Sequence, residues 1–150
     1  MTNQFRLEII DEQGLNLSKK YNIKDCQEVI LATVNFYKIK GFQKPWVGYL
    51  VLDSNIIVGA AGFNGKPENN VVEISYYIFQ EYQKKGFALL ACKELIKIAK
   101  QQKPGLIICA KTAPEENAST RILRKNGFVF CKVVQDHEIG DAWLWELVSF

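Results

Sequence analysis

Residues that could hold a metal ion or form disulfide bonds are scarce in this chain. It has a single histidine, His137, and its four cysteines lie far apart, with no two in a C-x-x-C arrangement. Zinc sites draw on clustered cysteine and histidine, so no metal site is expected. We expect four free thiols, mostly buried, in a reducing compartment.

Long apolar runs and a strong net charge are also missing. No apolar run approaches the roughly 18 residues of a membrane span. Residues 1–6 lack the basic-then-apolar order of a signal peptide. The formal net charge of +3 is too small to indicate a nucleic-acid-binding protein. We therefore expect a cytoplasmic protein that has neither a membrane nor a nucleic acid as its partner.

The length and composition indicate one globular domain. The chain has 150 residues, of which 48% are hydrophobic and 23% charged, so it can bury a real core. No internal repeat, linker or low-complexity tract divides it. We predict a single domain over residues 1–150.

The hydrophobic pattern predicts alternating strands and helices. The predicted strands are residues 5–10, 45–53, 56–63, 71–79, 106–110, 128–134 and 142–148. The predicted helices are residues 25–40, 88–99 and 114–125. Together they predict an α/β (α+β) protein, with one mixed sheet and helices on both of its faces.

Two predictions concern packing within these elements. In the first helix, one apolar stripe is expected to face the core, formed by Val29, Ala32 or Thr33, Phe36, and Ile39 or Lys40. Three glycines around the second hairpin strand are expected to make its bends: Gly59, Gly62 and Gly65.

The most informative stretch is a strand, a basic turn and a helix at residues 71–99. The turn contains Gly86, which permits φ > 0 and lets a ligand approach the backbone closely. Backbone N–H groups at the start of a helix form a site for an anion such as phosphate. Lys84 and Lys85 add positive charge there. The alternative is an ordinary turn with solvated lysines.

Two segments resemble the GNAT superfamily of acetyl-CoA-dependent N-acetyltransferases. The sequence QKKGFA at 83–88 resembles that family's Q/R-x-x-G-x-G/A pyrophosphate loop. The run at 116–128 resembles the N-x-x-S-x-x-x-L-x-K-x-G-F segment of the branch that includes the ribosomal-protein N-terminal acetyltransferases. The order of predicted elements also matches that family, from residue 5 to residue 148.

The resemblance implies a GNAT-like, mostly antiparallel, twisted sheet of about seven strands. It also implies an N-acetyltransferase that moves the acetyl group of acetyl-CoA to a primary amine by direct attack in a ternary complex. Backbone groups of Ile78 and Phe79 would face the pantetheine arm, and the N–H groups of residues 83–88 would cradle the pyrophosphate. The implied cofactor-binding residues are Ile78, Phe79, Gln83, Lys84, Lys85, Gly86, Phe87, Ala88, Asn117 and Ser119. Counting back from Gly127, the family's asparagine falls on Glu116, with Asn117 one residue later.

Glu73 is the candidate catalytic residue. It lies ten residues before Gln83, where related enzymes often carry a glutamate that acts as general base through a water molecule. Alternation along a strand places Glu73, Ser75 and Tyr77 on one face. The alternative is a structural glutamate at a sheet edge or in a salt bridge. The tyrosine that many relatives supply as general acid corresponds to Leu123 here.

Two questions stay open at this stage. A non-catalytic CoA- or acetyl-CoA-binding sensor or regulatory module is the alternative to an enzyme. The acceptor amine could be a peptide N-terminus or a small amine, because acceptor walls come from variable loops such as residues 15–22 and 42–46. Monomer and homodimer both remain open.

Overall fold

The structure is a computed structural model that describes residues 4–15 and 24–147. Within them, the strands are β1 (Arg6–Ile9), β2 (Gly48–Asp53), β3 (Ile56–Phe63), β4 (Val71–Ile78), β5 (Ile107–Thr112), β6 (Val129–Asp136) and β7 (Gly140–Leu147). The α-helices are α1 (Lys24–Lys40), α2 (Phe87–Gln102) and α3 (Ala118–Lys125). The predicted fold class and element order are confirmed. Two parts of the predictions lie outside the described residues. They are residues 16–22, which we expected to line the acceptor site, and residue 148, the predicted end of the last strand.

The seven strands of the described chain form one sheet, in the order β1-β2-β3-β4-β5-β7-β6. Its neighbouring strands are antiparallel except for β4 and β5, which run parallel. These two strands pair only from Val71 to Glu73, opposite Ile107 to Cys109, although β4 continues to Ile78. Beyond Glu73 the strands therefore separate, and a V-shaped opening lies in the middle of the sheet.

The β2–β3 hairpin follows from its turn residues and one glycine. Ser54 and Asn55 both have positive φ, 51° and 70°, as a two-residue type I′ hairpin turn requires. Gly59 and Gly62 lie within β3 and do not turn the chain, although the register of β3 against β2 shifts next to Gly59. Gly65, with φ of 88°, lies in the bend after β3, as predicted. A Cβ on Gly59 would lie 2.2 Å from the carbonyl oxygen of Tyr77, so only glycine allows β3 to approach β4 this closely.

Helices cover both faces of the sheet, as successive residues of β2 demonstrate. Leu50 is fully buried in a cluster with Ile30 of α1. Its neighbour Val51 points to the other face and belongs to the larger cluster, which contains Leu95 of α2. Burying side chains of this kind stabilises the fold by about 1.5–3 kcal/mol each. The core therefore has two layers, one on each side of the sheet.

The predicted inward stripe of α1 is correct only in part: Val29 and Phe36 pack against the core from partly buried positions, whereas the fully buried positions differ. The buried residues of this helix are Cys26, Ile30 and Tyr37, whereas Ile39 is 82% exposed. Apolar residues surround much of this helix, so periodicity alone does not select one face. The Tyr37 hydroxyl donates to the carbonyl of Ile10, at 2.8 Å, and this bond helps to fix the rotation of α1.

The start of α3 also differs from the prediction, which included Pro114 to Glu116. Asn117 is the N-cap: its side-chain oxygen accepts from the Thr120 N–H, at 3.1 Å. The Thr120 hydroxyl oxygen in turn accepts from the Asn117 N–H, at 3.0 Å. This reciprocal capping box satisfies two backbone donors and begins the helix at Ala118.

Candidate active site

The V-shaped opening leads into a cavity of about 390 Å³, here called the loop cavity. Its lining comes from the end of β4, the loop that follows it, and the first turns of α2 and α3. The lining residues are Tyr76, Tyr77, Ile78, Tyr82, Gln83, Lys84, Gly86, Phe87, Ala88, Leu89, Ala118, Ser119, Ile122 and Lys125. The opening between β4 and β5 thus brings together elements that are more than 30 residues apart in the chain.

Backbone N–H groups converge at this cavity. Lys84 and Gly86 are both left-handed, with φ of 66° and 90°, and the first hydrogen bond into α2 runs from the Leu90 N–H to the Gly86 carbonyl. The N–H groups of residues 84–89 have no hydrogen-bond partner among the described residues. They lie at the positive end of a 16-residue helix. This arrangement suits a bound anion.

Side chains hold the loop in place and give it positive charge. The Gln83 amide donates to the carbonyl of Ile78, at 2.8 Å, and so ties the loop back to the end of β4. Lys84 and Lys125 both line the cavity. Lys85 is exposed beside them and is not part of the lining.

The backbone of β4 presents polar groups to the same opening. The Glu73 carbonyl accepts from Asn64, and the Phe79 N–H donates to Val58, so odd-numbered residues of β4 pair toward β3. The direction of the backbone hydrogen-bonding groups alternates along a strand, so the N–H and C=O groups of Tyr76 and Ile78 point toward β5. Both residues lie beyond the last residues at which β4 and β5 pair.

Phe79, the other residue that sequence reasoning assigned to the pantetheine arm, has its backbone engaged elsewhere. Its N–H donates to Val58, at 2.9 Å, and its carbonyl accepts from the Tyr82 N–H, at 2.9 Å. Phe79 is also absent from the cavity lining. Fold-forming hydrogen bonds thus use both backbone groups of Phe79, and its contact with the pantetheine arm stays a prediction that this geometry does not favour.

The two predicted sites on α3 separate in the structure. Ser119 lines the loop cavity, whereas Asn117 does not. The side-chain oxygen of Asn117 serves the N-cap described above. Glu116, at the position of the family's asparagine, forms a two-point ion pair with Arg124. That guanidinium lowers the pKa of Glu116 to about 2.

A second cavity, of about 270 Å³, lies on the opposite face of β4, beneath α1, and is called the α1 cavity. Its lining residues are Ala32, Thr33, Phe36, Tyr37, Gly48, Tyr49, Ala60, Ala61, Gly62, Phe63, Asn64, Ser75, Tyr76 and Tyr77. Ala32 and Phe36, predicted to face the core, are walls of this cavity. Tyr76 and Tyr77 line both cavities, so the two meet at this part of β4.

Glu73 lies near the point where β4 and β5 separate. Its carboxylate is 3.7 Å from the Lys111 ammonium, which is also 4.0 Å from Asp136. The Glu73 side chain is 24% exposed, and it lines neither cavity. It shares a strand face with Ser75, two residues along, which does line the α1 cavity.

One polar cluster behind the loop cavity was missed by sequence reasoning. The side chains of Tyr76, Cys92 and Asn126 are neighbours there. Burial is the main cause that raises the pKa of both groups, that of Cys92 to about 12. Cys92 lies within the predicted helix at residues 88–99. No local motif links it to a tyrosine 16 residues earlier.

Two negative findings concern the described residues. They contain no group of three or more histidine, cysteine, aspartate or glutamate side chains that could hold a metal ion. Among them there is also no helix long and apolar enough to cross a bilayer.

The fold is that of a GNAT acetyltransferase. The family model described as "Acetyltransferase (GNAT) domain" matches residues 11–129. The chain therefore belongs to the GNAT acetyltransferase family, which confirms the resemblance seen in the sequence. No curated protein sequence matches the chain.

Solved structures agree on the fold. RimL, a ribosomal alpha-N-protein acetyltransferase, has a TM-score of 0.73 and 17% identity, over 99% of this chain and 95% of that one. The microcin self-immunity acetyltransferase MccE, in complex with acetyl-CoA and AMP, has a TM-score of 0.71 and 18% identity, over 96% and 92%. YncA of Salmonella typhimurium, with its cofactor acetyl-CoA, has a TM-score of 0.69 and 16% identity, over 97% and 94%.

Proposed function

We propose that this protein transfers the acetyl group of acetyl-CoA to a primary amine by direct attack in a ternary complex. The observation that carries the proposal is the set of convergent N–H groups at residues 84–89, beside the opening between β4 and β5. These donors and Lys84 fit a diphosphate. MccE and YncA, which have the same fold, were solved with acetyl-CoA.

Each part of the loop cavity has a role in this proposal. The N–H groups near Gly86 hold the pyrophosphate, while Lys125 and Ser119 face the nucleotide half. The backbone edge of Tyr76 and Ile78 binds the pantetheine amides as an additional strand would. The Ile78 N–H polarises the thioester carbonyl, as an oxyanion-hole donor does.

Glu73 is proposed as the general base, acting through a water molecule. Ser75 lies about 7 Å further along the strand, because each residue advances a strand by about 3.3 Å. That separation is too long for direct proton transfer to an amine beside Ser75, so the transfer needs bridging water. The Lys111 ammonium orients the carboxylate from the neighbouring strand.

The acceptor's own pKa decides how much this base contributes. At pH 7, deprotonating a lysine-like amine of pKa about 10.4 costs about 4.6 kcal/mol, whereas an α-amine near pKa 8 costs about 1.4 kcal/mol. A required Glu73 therefore indicates a strongly basic acceptor. If Glu73 can be replaced without loss of activity, the acceptor is an α-amine.

The direct test is the release of CoA thiol from acetyl-CoA by the purified protein with a panel of primary amines. Amine-dependent release, together with acetylated amine detected by mass spectrometry, is the expected result. Tight acetyl-CoA binding without turnover on any amine would instead favour the sensor alternative. Four free cysteines support a reducing compartment, so we place this activity in the cytoplasm.

A further inference from the structure

The α1 cavity has an unusual lack of charge for a cavity that opens beside a reaction centre. None of its 14 described lining residues is Asp, Glu, Lys or Arg. Two of its hydroxyls are already engaged in the fold: Tyr37 donates to Ile10 and Tyr49 donates to Pro45, at 2.8 and 2.6 Å. A ligand in this cavity therefore meets mainly carbon and aromatic surface.

The walls and the size restrict what can bind. Aromatic rings of Phe36, Phe63 and Tyr77 surround the cavity, while small residues such as Ala60 and Gly62 line it from the sheet. Its 270 Å³ equals the volume of about nine water molecules at about 30 Å³ each. One aromatic ring with a short chain fits in this space. A second charged group would lose its hydration there without gaining a partner.

We propose that the α1 cavity is the acceptor site and that it selects small primary amines whose remaining part is uncharged, apolar and about the size of one aromatic ring. The inference rests on the proposed function, because the amine reaches the acetyl group where Tyr76 and Tyr77 line both cavities. It excludes polyamines and amines that carry a carboxylate as preferred acceptors.

Three small amines of similar size test whether an additional charged group makes an acceptor worse. 2-Phenylethylamine carries a ring and an amine, phenylalanine adds one carboxylate, and 1,4-diaminobutane replaces the ring by a second ammonium. We expect kcat/KM for 2-phenylethylamine to exceed the values for the other two at least tenfold. Equal or faster acetylation of either charged probe overturns the inference and leaves the proposed function standing.

A fourth probe distinguishes a small amine from a peptide. A hexapeptide with an uncharged N-terminal residue is expected to react at least tenfold more slowly than 2-phenylethylamine, because its backbone amides would lose hydration against a mainly apolar lining. Faster reaction of the peptide overturns the inference. If acetyl-CoA binds and none of the four probes reacts, the inference fails, and the wider panel of amines decides separately whether the proposed function fails as well.

Cavity-filling variants test the location of the acceptor site. Ala60→Leu and Ser75→Leu each add bulk to the α1 cavity, and Ser75 is exposed, so its substitution should leave folding intact. Each should raise KM for 2-phenylethylamine about tenfold without changing the Kd for acetyl-CoA. Ala113→Leu, in an exposed loop, is the matched control. An unchanged KM in both folded cavity variants overturns the assignment.

Discussion

The carboxylate of Glu73 lies 3.7 Å from the ammonium of Lys111, across the last residues at which β4 and β5 pair. One charge thus stands on each strand at the base of the V-shaped opening. The pair restrains the carboxylate on the strand face that also carries Ser75. Its contribution to stability is small, about 0–1 kcal/mol for a partly exposed pair. The effect of this ion pair on the position of the Glu73 carboxylate is therefore easier to test than its effect on the free energy of folding.

Replacing Glu73 by glutamine removes the proposed base while keeping its shape. We expect kcat/KM at pH 7 to fall about 10²–10⁴-fold, the usual contribution of a general base. The deficit should shrink as the pH rises toward the pKa of the amine, because more of the free amine is then already neutral. The measurement is the pH dependence of kcat/KM for the Glu73→Gln variant and the wild type.

Lys111→Met is the control for that experiment, since it breaks the same ion pair and retains the carboxylate. We expect its kcat/KM to stay within a few-fold of wild type. If both variants lost the same activity and the same stability, with no change in pH profile, Glu73 would be only a structural partner of Lys111.

Gly86→Glu tests the proposed pyrophosphate site. A non-glycine residue at φ near +90° costs about 1–2 kcal/mol, and the new carboxylate would stand among the N–H donors. Gly105→Glu is a matched control, because Gly105 has φ of 86° and a Cβ added at either glycine would have no neighbour within 4 Å. Both variants should lose similar stability, and only Gly86→Glu should weaken acetyl-CoA binding, by at least 100-fold in calorimetry. Equal affinities would remove the basis of the proposed function.

Asn117→Ala distinguishes a helix cap from a cofactor ligand. Loss of the cap should reduce the free energy of unfolding by about 0.5–2 kcal/mol, while the Kd for acetyl-CoA stays within twofold. Asn117→Asp keeps a capping oxygen and should retain stability. Ser119→Leu places a larger side chain in the loop cavity. We expect it to raise the Kd for acetyl-CoA about tenfold and to leave the free energy of unfolding unchanged. A large rise in Kd for Asn117→Ala at unchanged stability would restore its cofactor role.

The sequence predicted most elements of the fold because their patterns are local. The α2 helix buries Ala91, Cys92, Leu95 and Ala99, whose spacing in the sequence places them on one face of a helix. The α1 helix had less contrast, because Leu31 and Ile39 are apolar and yet exposed on its outer face. Tertiary contacts decide the rotation of a helix of this kind, and its sequence does not contain them.

The candidate site was predictable only where it is formed by one continuous segment. The loop around Gly86 was found because a turn and a helix start are encoded in neighbouring residues. The α1 cavity combines α1 with three strands, and the separation of β4 from β5 beyond Glu73 depends on pairing between distant segments. Neither the α1 cavity nor the separation of the two strands corresponds to a short sequence motif. The small residues within β3 were the available signal for the cavity, and its glycines were interpreted as bends.

The cysteines give a prediction on thiol reactivity and alkaline stability. Cys131 is exposed, whereas Cys92 and Cys109 are buried, and burial raises the pKa of each of these two to about 12. A group whose folded-state pKa is raised stabilises the fold fully below its ordinary pKa, near 9, and loses that contribution as the pH rises toward 12. We expect the free energy of unfolding to decrease from about pH 9 upward.

At pH 8 one thiol per chain should react quickly with a disulfide reagent, and Cys131→Ser should abolish that phase. Fast reaction of a second thiol would contradict the buried positions.

The hydrogen bond between Trp145 and Thr112 gives a prediction that concerns stability alone. The fully buried indole N–H donates to the Thr112 hydroxyl, at 3.0 Å, and Thr112 lines neither cavity. Thr112→Val keeps the shape of the side chain and leaves the indole donor unsatisfied, at a cost of about 1–3 kcal/mol. We expect Tm to fall by about 2–10 °C at this chain length, with kcat/KM within twofold of wild type. Thr112→Ser retains the acceptor and should keep most of the stability; if it melts as early as Thr112→Val, the lost methyl group rather than the lost hydrogen bond explains the effect.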